Sequence, residues 1–226
     1  MSKGILITAT GTDVGKTYVT GLIVKKLREA GYDATYYKAA LSGAERKGDS
    51  LIPGDADYVN RIAGIGEEMK SLVSYVYEEA VSPHLAAQLE GNPVELSRIK
   101  QDYEKAQKKH EYVTVEGSGG IVCPIRYDEK EKIFLEDIIK ELGLETILIA
   151  DAGLGTINSV ILTTEYMKNR KIGVQGIILN HYHGTIMEKD NVKMIEKMTN
   201  IPVIARVSDG DTELKIEAEK LADLYA

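Results

Sequence analysis

An apolar run, Ile5-Leu6-Ile7, passes directly into the small-residue loop Thr10-Gly11-Thr12-Asp13-Val14-Gly15-Lys16-Thr17, after which Tyr18 to Ala30 reads as an amphipathic helix. Strand, loop and helix in this order form a phosphate cradle. Backbone N–H groups of such a loop point inward at an anion, and the helix N-terminus adds the positive end of its dipole. Lys16 then reaches the β- and γ-phosphates, and the Thr17 hydroxyl ligates Mg²⁺. The usual G-x-x-x-x-G-K-[ST] spacing puts its first glycine at position 10, which is Thr here. Gly-Lys-Thr alone is common, so the flanking strand and helix give the motif its weight against an ordinary strand–turn–helix.

The rest of the chain repeats that alternation. Short apolar runs predict strands at Gly4–Ala9, Ala34–Lys38, Tyr112–Glu116, Thr146–Asp151, Gly176–Asn180 and Pro202–Arg206. Helical patterns lie at Thr17–Ala30, Asp55–Gly64, His84–Leu89, Glu95–His110, Phe134–Leu142, Ile157–Asn169, Met187–Thr199 and Thr212–Tyr225. Pro83 suits a first helical turn, with Ser82 before it as cap. Alternating β and α segments predict an α/β fold, a mostly parallel β-sheet flanked by helices on both faces. The segment from Ala39 to Pro53, rich in Gly, Ser and charge, predicts a long surface loop at a strand's carboxyl end, where open α/β sheets place ligands.

At 226 residues the chain fits one domain, 1–226, large enough to bury a core without staples. A net charge of −7 with no basic stripe argues against nucleic acid as partner. The single cysteine, Cys123, excludes an intrachain disulfide and reads as a small buried residue in a reducing compartment. No stretch approaches the ~20 apolar residues of a membrane span, and the N-terminus shows no signal peptide. The expectation is a soluble cytoplasmic protein with no membrane partner.

Five further sites sit at predicted strand ends or helix starts. Lys38, closely followed by Ser42, offers a mobile positive charge for a phosphoryl or carboxyl group, although on its own it reads first as a solvated strand-end lysine. Glu116 precedes Gly117-Ser118-Gly119-Gly120, where a carboxylate can hold Mg²⁺ and small residues let backbone N–H groups approach an anion. Asp55 and Asp57 read first as helix-start caps; a second carboxylate for the metal is the alternative for either. Gly155, Thr156 and Asn158 open a helix whose N–H groups suit a carboxylate or phosphate, with Thr156 also readable as its cap. Asn180 carries an amide able to pair with a donor and an acceptor on a base, or to form a turn.

Taken together, Gly11–Thr17, Tyr37-Lys38 with Ser42, Ser82-Pro83-His84, Val115-Glu116-Gly117-Ser118-Gly119-Gly120, Gly153–Asn158 and Gly176–Asn180 resemble the dethiobiotin synthetases. These belong to a P-loop family that includes ATP-dependent carboxylate-amidating enzymes. The pieces occur in family order from residue 4 to about residue 206, and the Ser-Pro-His and Leu-Gly-Thr-Ile-Asn runs are more specific than the phosphate loop. The resemblance implies a P-loop NTPase-like sheet and a homodimer. It also implies ring closure of 7,8-diaminononanoate with CO₂ or bicarbonate and MgATP, through a carbamate and a carbamic–phosphoric anhydride. By the same resemblance Lys38, Lys16 and Thr12 serve catalysis, and Asp13, Val14, Gly15, Lys16, Thr17 and Tyr18 wrap the phosphates. Glu116, Gly117, Ser118 and Gly119 complete the nucleotide site, Thr17, Asp55 and Glu116 hold Mg²⁺, and Asn180 reads adenine. Ser42 and, across the subunit interface, Gly155, Thr156 and Asn158 bind the substrate.

Five positions depart from the family pattern: Ala9 for Gly, Ser118 for Ala, Ser159 for His, and Val207-Ser208 where Ile-Pro is usual beside adenine. A related ligase acting on another carboxylate or diamine is the nearest alternative, although the longer amidating relatives carry a glutaminase domain and catalytic cysteine not evident here. Partition-type nucleotide-switch ATPases carry a signature lysine where this chain has Gly11.

Overall fold

The computed structural model describes residues 2–226. In chain order the elements are β1 (Lys3–Ala9), α1 (Lys16–Glu29), β2 (Ala34–Leu41), β3 (Glu45–Lys47), β4 (Ser50–Ile52), α2 (Gly54–Ile62), α3 (Met69–Leu72) and β5 (Val73–Val76). There follow α4 (Pro83–Leu89), α5 (Leu96–Lys109), β6 (Tyr112–Glu116), β7 (Pro124–Tyr127), β8 (Lys132–Phe134), α6 (Leu135–Leu142) and β9 (Glu145–Asp151). The chain closes with α7 (Thr156–Asn169), β10 (Val174–Asn180), α8 (Ile186–Thr199), β11 (Val203–Arg206) and α9 (Ala218–Ala222).

Seven strands form one sheet in the order β11-β10-β9-β1-β6-β2-β5, every pairing parallel. A parallel sheet buries both faces, which is why its strands read as continuous apolar runs. Along β1, Leu6 packs with Tyr37, Val115, Ile99 of α5 and Ile138 of α6. Ile5, Ile7 and Ala9 point the other way, onto Val19, Leu22, Ile23 and Leu27 of α1 and Leu221 of α9. A third cluster seats α2 on β2 and β5 through Val59, Ala56 and Tyr36, and a fourth seats α7 and α8 on β9 and β10. Local chemistry fixes individual ends: Thr185 and Glu188 form a reciprocal capping box at the start of α8, and Asn200 ends it in a left-handed turn.

The six expected strands are present, and three expectations are corrected. The long loop from Ala39 to Pro53 is not one: Ala39–Leu41 continue β2 as buried strand, and β3 and β4 pair as an antiparallel hairpin. The C-terminal helix shrinks from Thr212–Tyr225 to Ala218–Ala222, because Leu214 and Tyr225 reach the core from irregular backbone on either side. Phe134 ends β8 instead of opening a helix. The β7–β8 hairpin, the edge strand β5 and the short α3 were not anticipated.

All seven strands run the same way, so the turns after β1, β2, β6, β9 and β10 converge on one edge of the sheet. The residues with chemistry lie there.

Candidate functional site

The loop between β1 and α1 owes its shape to two left-handed residues, Asp13 (φ 61°) and Gly15 (φ 83°). Alternation of left- and right-handed backbone turns successive N–H groups to one side, forming an anion cradle at the head of α1. Lys16 and Thr17 begin that helix. Lys16 is buried, its ammonium resting on the Gly11 carbonyl at 3.4 Å, and burial lowers its pKa below that of a free lysine.

Two strand ends supply the rest of the centre. In the β2–β6 register Lys38 stands opposite Glu116, so their side chains share one face of the sheet. The Lys38 ammonium donates to Glu116 Oε1 at 2.7 Å and also to Asp55 Oδ2. Thr17 Oγ1 donates to the same Glu116 oxygen at 2.9 Å. Burial opposes the charge on Lys38, but Glu116 and Asp55 outweigh it and hold the lysine above its ordinary pKa. Burial likewise opposes ionisation of Asp55, and Lys38 reverses the sign, leaving that carboxyl below its ordinary value. Asp55 is not the N-cap of α2, a position held by Pro53, so the bland capping reading fails and the residue belongs to the centre.

Glu116 is almost wholly buried, and its second oxygen, Oε2, has no hydrogen-bond partner. A buried carboxylate oxygen left unpaired is costly unless a cation or donor meets it. With Thr17 and Asp55 close by, the donor set is hard, all oxygen and doubly negative. That suits Mg²⁺, which binds through one or two carboxylates and keeps waters and phosphate oxygens as its other ligands.

Two cavities open onto this centre. One of about 250 Å³ is lined by Thr12, Asp13, Gly15, Lys16, Thr17, Tyr18, Asp55, Glu116, Gly119 and Lys38. The other, about 770 Å³, is lined by Ser42, Ser118, Cys123, the Ala80–Pro83 turn and others, and shares Thr12, Asp13, Lys38, Asp55 and Gly119 with the first. Lys38 therefore stands at their junction.

The remaining expected residues fall outside these cavities or act through the fold. Val14 is half-buried and offers its carbonyl to Asn180 Nδ2 at 3.1 Å. Asn180 lies behind the loop, buried, with its Oδ1 unpartnered. Gly117 has no room for a side chain, since a Cβ would stand 2.8 Å from Leu135 and 3.2 Å from the Ile7 carbonyl. Ser118 Oγ ties its turn to the Ala40 carbonyl at 2.7 Å, and Tyr18 donates to the Asp211 carbonyl. Gly155, Thr156 and Asn158 open α7 away from both cavities; Gly155 is the N-cap and Thr156 the first helical residue.

Three further residues have surroundings that the sequence did not reveal. Tyr36 is fully buried with its hydroxyl unpartnered; burial and the charges of Glu116 and Asp55 raise its pKa well above that of free tyrosine. Its signal was parity, because Tyr36 and Lys38 point to the same face of β2. Cys123 is buried as expected, but it also lines the larger cavity, and burial pushes its thiol up to about 11. His181 pairs through Nδ1 with Asp151 Oδ2 at 2.8 Å, a contact spanning 30 residues that no local pattern reveals.

Residues 3–212 match the family model described as "AAA domain". The chain is 53% identical over its full length to an ATP-dependent dethiobiotin synthetase BioD of Brachyspira hyodysenteriae, covering 100% of that protein. It is 53% identical to one from Clostridium botulinum strain 657, covering 100% of this chain and 99% of the relative. A Clostridium novyi relative of the same name is 49% identical over 96% of this chain and 93% of its own. Among solved structures, the septum site-determining protein MinD of Pyrococcus horikoshii superposes with a TM-score of 0.57 at 15% identity, covering 99% of this chain and 90% of MinD. A ParA family ATPase from Chlorobium tepidum gives 0.56 at 13% identity, covering 93% and 86%. At such identities these two likenesses establish a shared fold and nothing about function.

Proposed function

The chain belongs to the ATP-dependent dethiobiotin synthetase family, and we propose that its paired cavities close the ureido ring of dethiobiotin from 7,8-diaminononanoate, CO₂ and MgATP. The observation that carries this reading is the position of Lys38, at the junction of the phosphate-side and acceptor-side cavities and bonded to Glu116 and Asp55. A reaction that passes a phosphoryl group to a second anion needs a fixed positive charge between the two.

In this scheme one amine of the substrate adds to CO₂, forming a carbamate and releasing a proton. A carbamate oxygen attacks the γ-phosphorus as its bond to the β-phosphate oxygen breaks and ADP departs. The second amine then attacks the carbamoyl carbon and loses a proton, and phosphate leaves as the ring closes. Lys38, with Thr12 beside it, steadies the carbamate, while Lys16 and the N–H groups of Asp13 to Tyr18 hold the phosphates. Thr17, Asp55 and Glu116 would hold Mg²⁺, which when bound offsets negative charge on the phosphates. Ser42 orients the diamine, and no strong base is required because positioning and charge neutralisation lower the barrier.

The working unit in this proposal is a cytoplasmic homodimer of single-domain subunits with no nucleic-acid partner. Gly155, Thr156 and Asn158 line neither of their own subunit's two cavities, and in this proposal they take the substrate's tail carboxylate from the neighbour. Leu154 (93% exposed) and Ile186 (89%) lie at the starts of α7 and α8, with Leu162 exposed on α7. Such apolar exposure favours a two-fold interface on that face. Mixing inactive Lys38→Ala and Asn158→Ala subunits tests the arrangement. Recovery of dethiobiotin synthesis in the mixture supports a shared site, and no recovery from mixed dimers rejects it.

A further inference from the structure

We propose that Tyr36 is a positioning residue for the metal site: its hydroxyl donates to Glu116 Oε2 and so turns Oε1 toward Thr17, Lys38 and the cation. The inference rests on the reading that Glu116 holds Mg²⁺. It goes beyond that reading by naming what orients the carboxylate, a tyrosine that lines neither cavity.

Strand geometry brings the two groups together. In the β2–β6 register Thr114 stands opposite Tyr36, and Glu116 opposite Lys38. Side chains two apart on a strand share a face, so Tyr36 and Glu116 are diagonal neighbours, a spacing that an aromatic side chain can span. Tyr36 is fully buried in one cluster with Val24 of α1 and with Ala56 and Val59 of α2. Ala56 adjoins Asp55, so the same ring supports the helix start that carries the second carboxylate.

The hydrogen bonds around Glu116 are lopsided. Lys38 and Thr17 both donate to Oε1. Among the described residues, neither Oε2 nor the Tyr36 hydroxyl has a well-aligned partner, and both are shut off from water. One accepts and the other can donate, and each left alone in the interior costs free energy. The two groups feel one another: burial, then the charges of Glu116 and Asp55, then a side-chain hydrogen bond to Glu116 raise the Tyr36 pKa. A hydroxyl proton rotates to suit its acceptor, so the pairing needs no change of backbone. A carboxylate fixed through one oxygen presents the other in a set direction, which is how outer hydrogen bonds tune a metal ligand.

The test uses Tyr36→Phe, which keeps the ring and removes only the hydroxyl. In calorimetric titrations of the ADP-bound protein, the Mg²⁺ concentration for half-saturation should rise about tenfold, while ADP binding without metal changes less than about twofold. In urea without metal, Tyr36→Phe should lower the unfolding midpoint, because Glu116 Oε2 loses its donor. A hydroxyl that were a mere orphan would raise the midpoint on removal. In the uncharged background of Lys38→Met with Glu116→Leu, the same change should raise it. An unchanged Mg²⁺ requirement, a raised midpoint in the native background, or an equal fall in both backgrounds overturns the role of Tyr36. If Glu116→Gln raises the Mg²⁺ requirement and Tyr36→Phe does not, the metal reading of Glu116 stands without Tyr36. If Glu116→Gln leaves the requirement at the native value, that reading is itself wrong, and the proposal falls with it.

Discussion

Lys38 and Glu116 occupy facing positions on adjacent parallel strands, and their charged groups meet at 2.7 Å with almost no exposure to solvent. Two ions taken out of water at that depth cost several kcal/mol each, recovered only through geometry and further hydrogen bonds. Asp55 and Thr17 provide those bonds. The pair therefore orders the centre of the site without being a source of net stability.

Breaking this pair from one side should be costly, and removing both charges should not. Glu116→Leu is expected to destabilise the fold by about 3 kcal/mol in urea unfolding, because Lys38 keeps only the half-exposed Asp55. Adding Lys38→Met should recover most of that loss while leaving the protein inactive. Additive losses in the double variant would show that the two residues do not act as a unit.

The two lysines should separate cleanly by function. Lys38→Ala should abolish product formation while ATP affinity changes less than about threefold, under 1 kcal/mol. Lys16→Ala should lose ATP affinity by at least about tenfold, since it removes a charged contact to phosphate. Comparable loss of ATP binding in both variants would move Lys38 from the acceptor to the nucleotide.

Gly15→Ala should damage the loop twice over. Its φ of 83° costs an L-residue about 1–2 kcal/mol, and the new methyl would drive Asn180 from its place. Denaturant midpoint and nucleotide affinity should fall together, whereas Gly11→Ala, with open space around it, should spare stability. Equal stability of the two variants would contradict the account.

The pH response follows from the signs. Asp55 is depressed below 3.8, so its contribution to stability is complete above that value and disappears as pH falls through the lower, folded one. Lys38 is raised above 10.5, so its contribution is complete below that value and is lost only as pH climbs past it. Between these limits neither Asp55 nor Lys38 should titrate. Lys16 is lowered, so the free protein should lose nucleotide affinity on the alkaline side before it loses stability. Unfolding in step with loss of binding would refute that order.

What could be read without coordinates follows from where signals are local. The Gly11–Thr17 loop, Lys38 and Glu116 stand at the ends of apolar runs, and the parallel sheet gathers such ends at one edge. Asp55 was ambiguous because an Asp in a first helical turn is ordinary on its own. The β3–β4 hairpin was invisible, since Glu45, Arg46 and Lys47 are all exposed and show no alternation of apolar and polar residues. The edge strand β5 is four residues long and carries Ser74, too little for a periodicity. At the C-terminus, apolar spacing imitated a helix where Leu214 is buried by irregular chain. Long-range partnerships such as Asp151 with His181 leave no trace in spacing.

The central claim is that the cleft couples ATP cleavage to ring closure on a carbamate. It is tested most directly by incubating the protein with MgATP, isotopically heavy bicarbonate and 7,8-diaminononanoate, and weighing the product. The account predicts dethiobiotin carrying the heavy carbon, with one phosphate released for each ring closed. Folded, dimeric protein that makes no dethiobiotin, yet turns over ATP with a different diamine or acid, would contradict it.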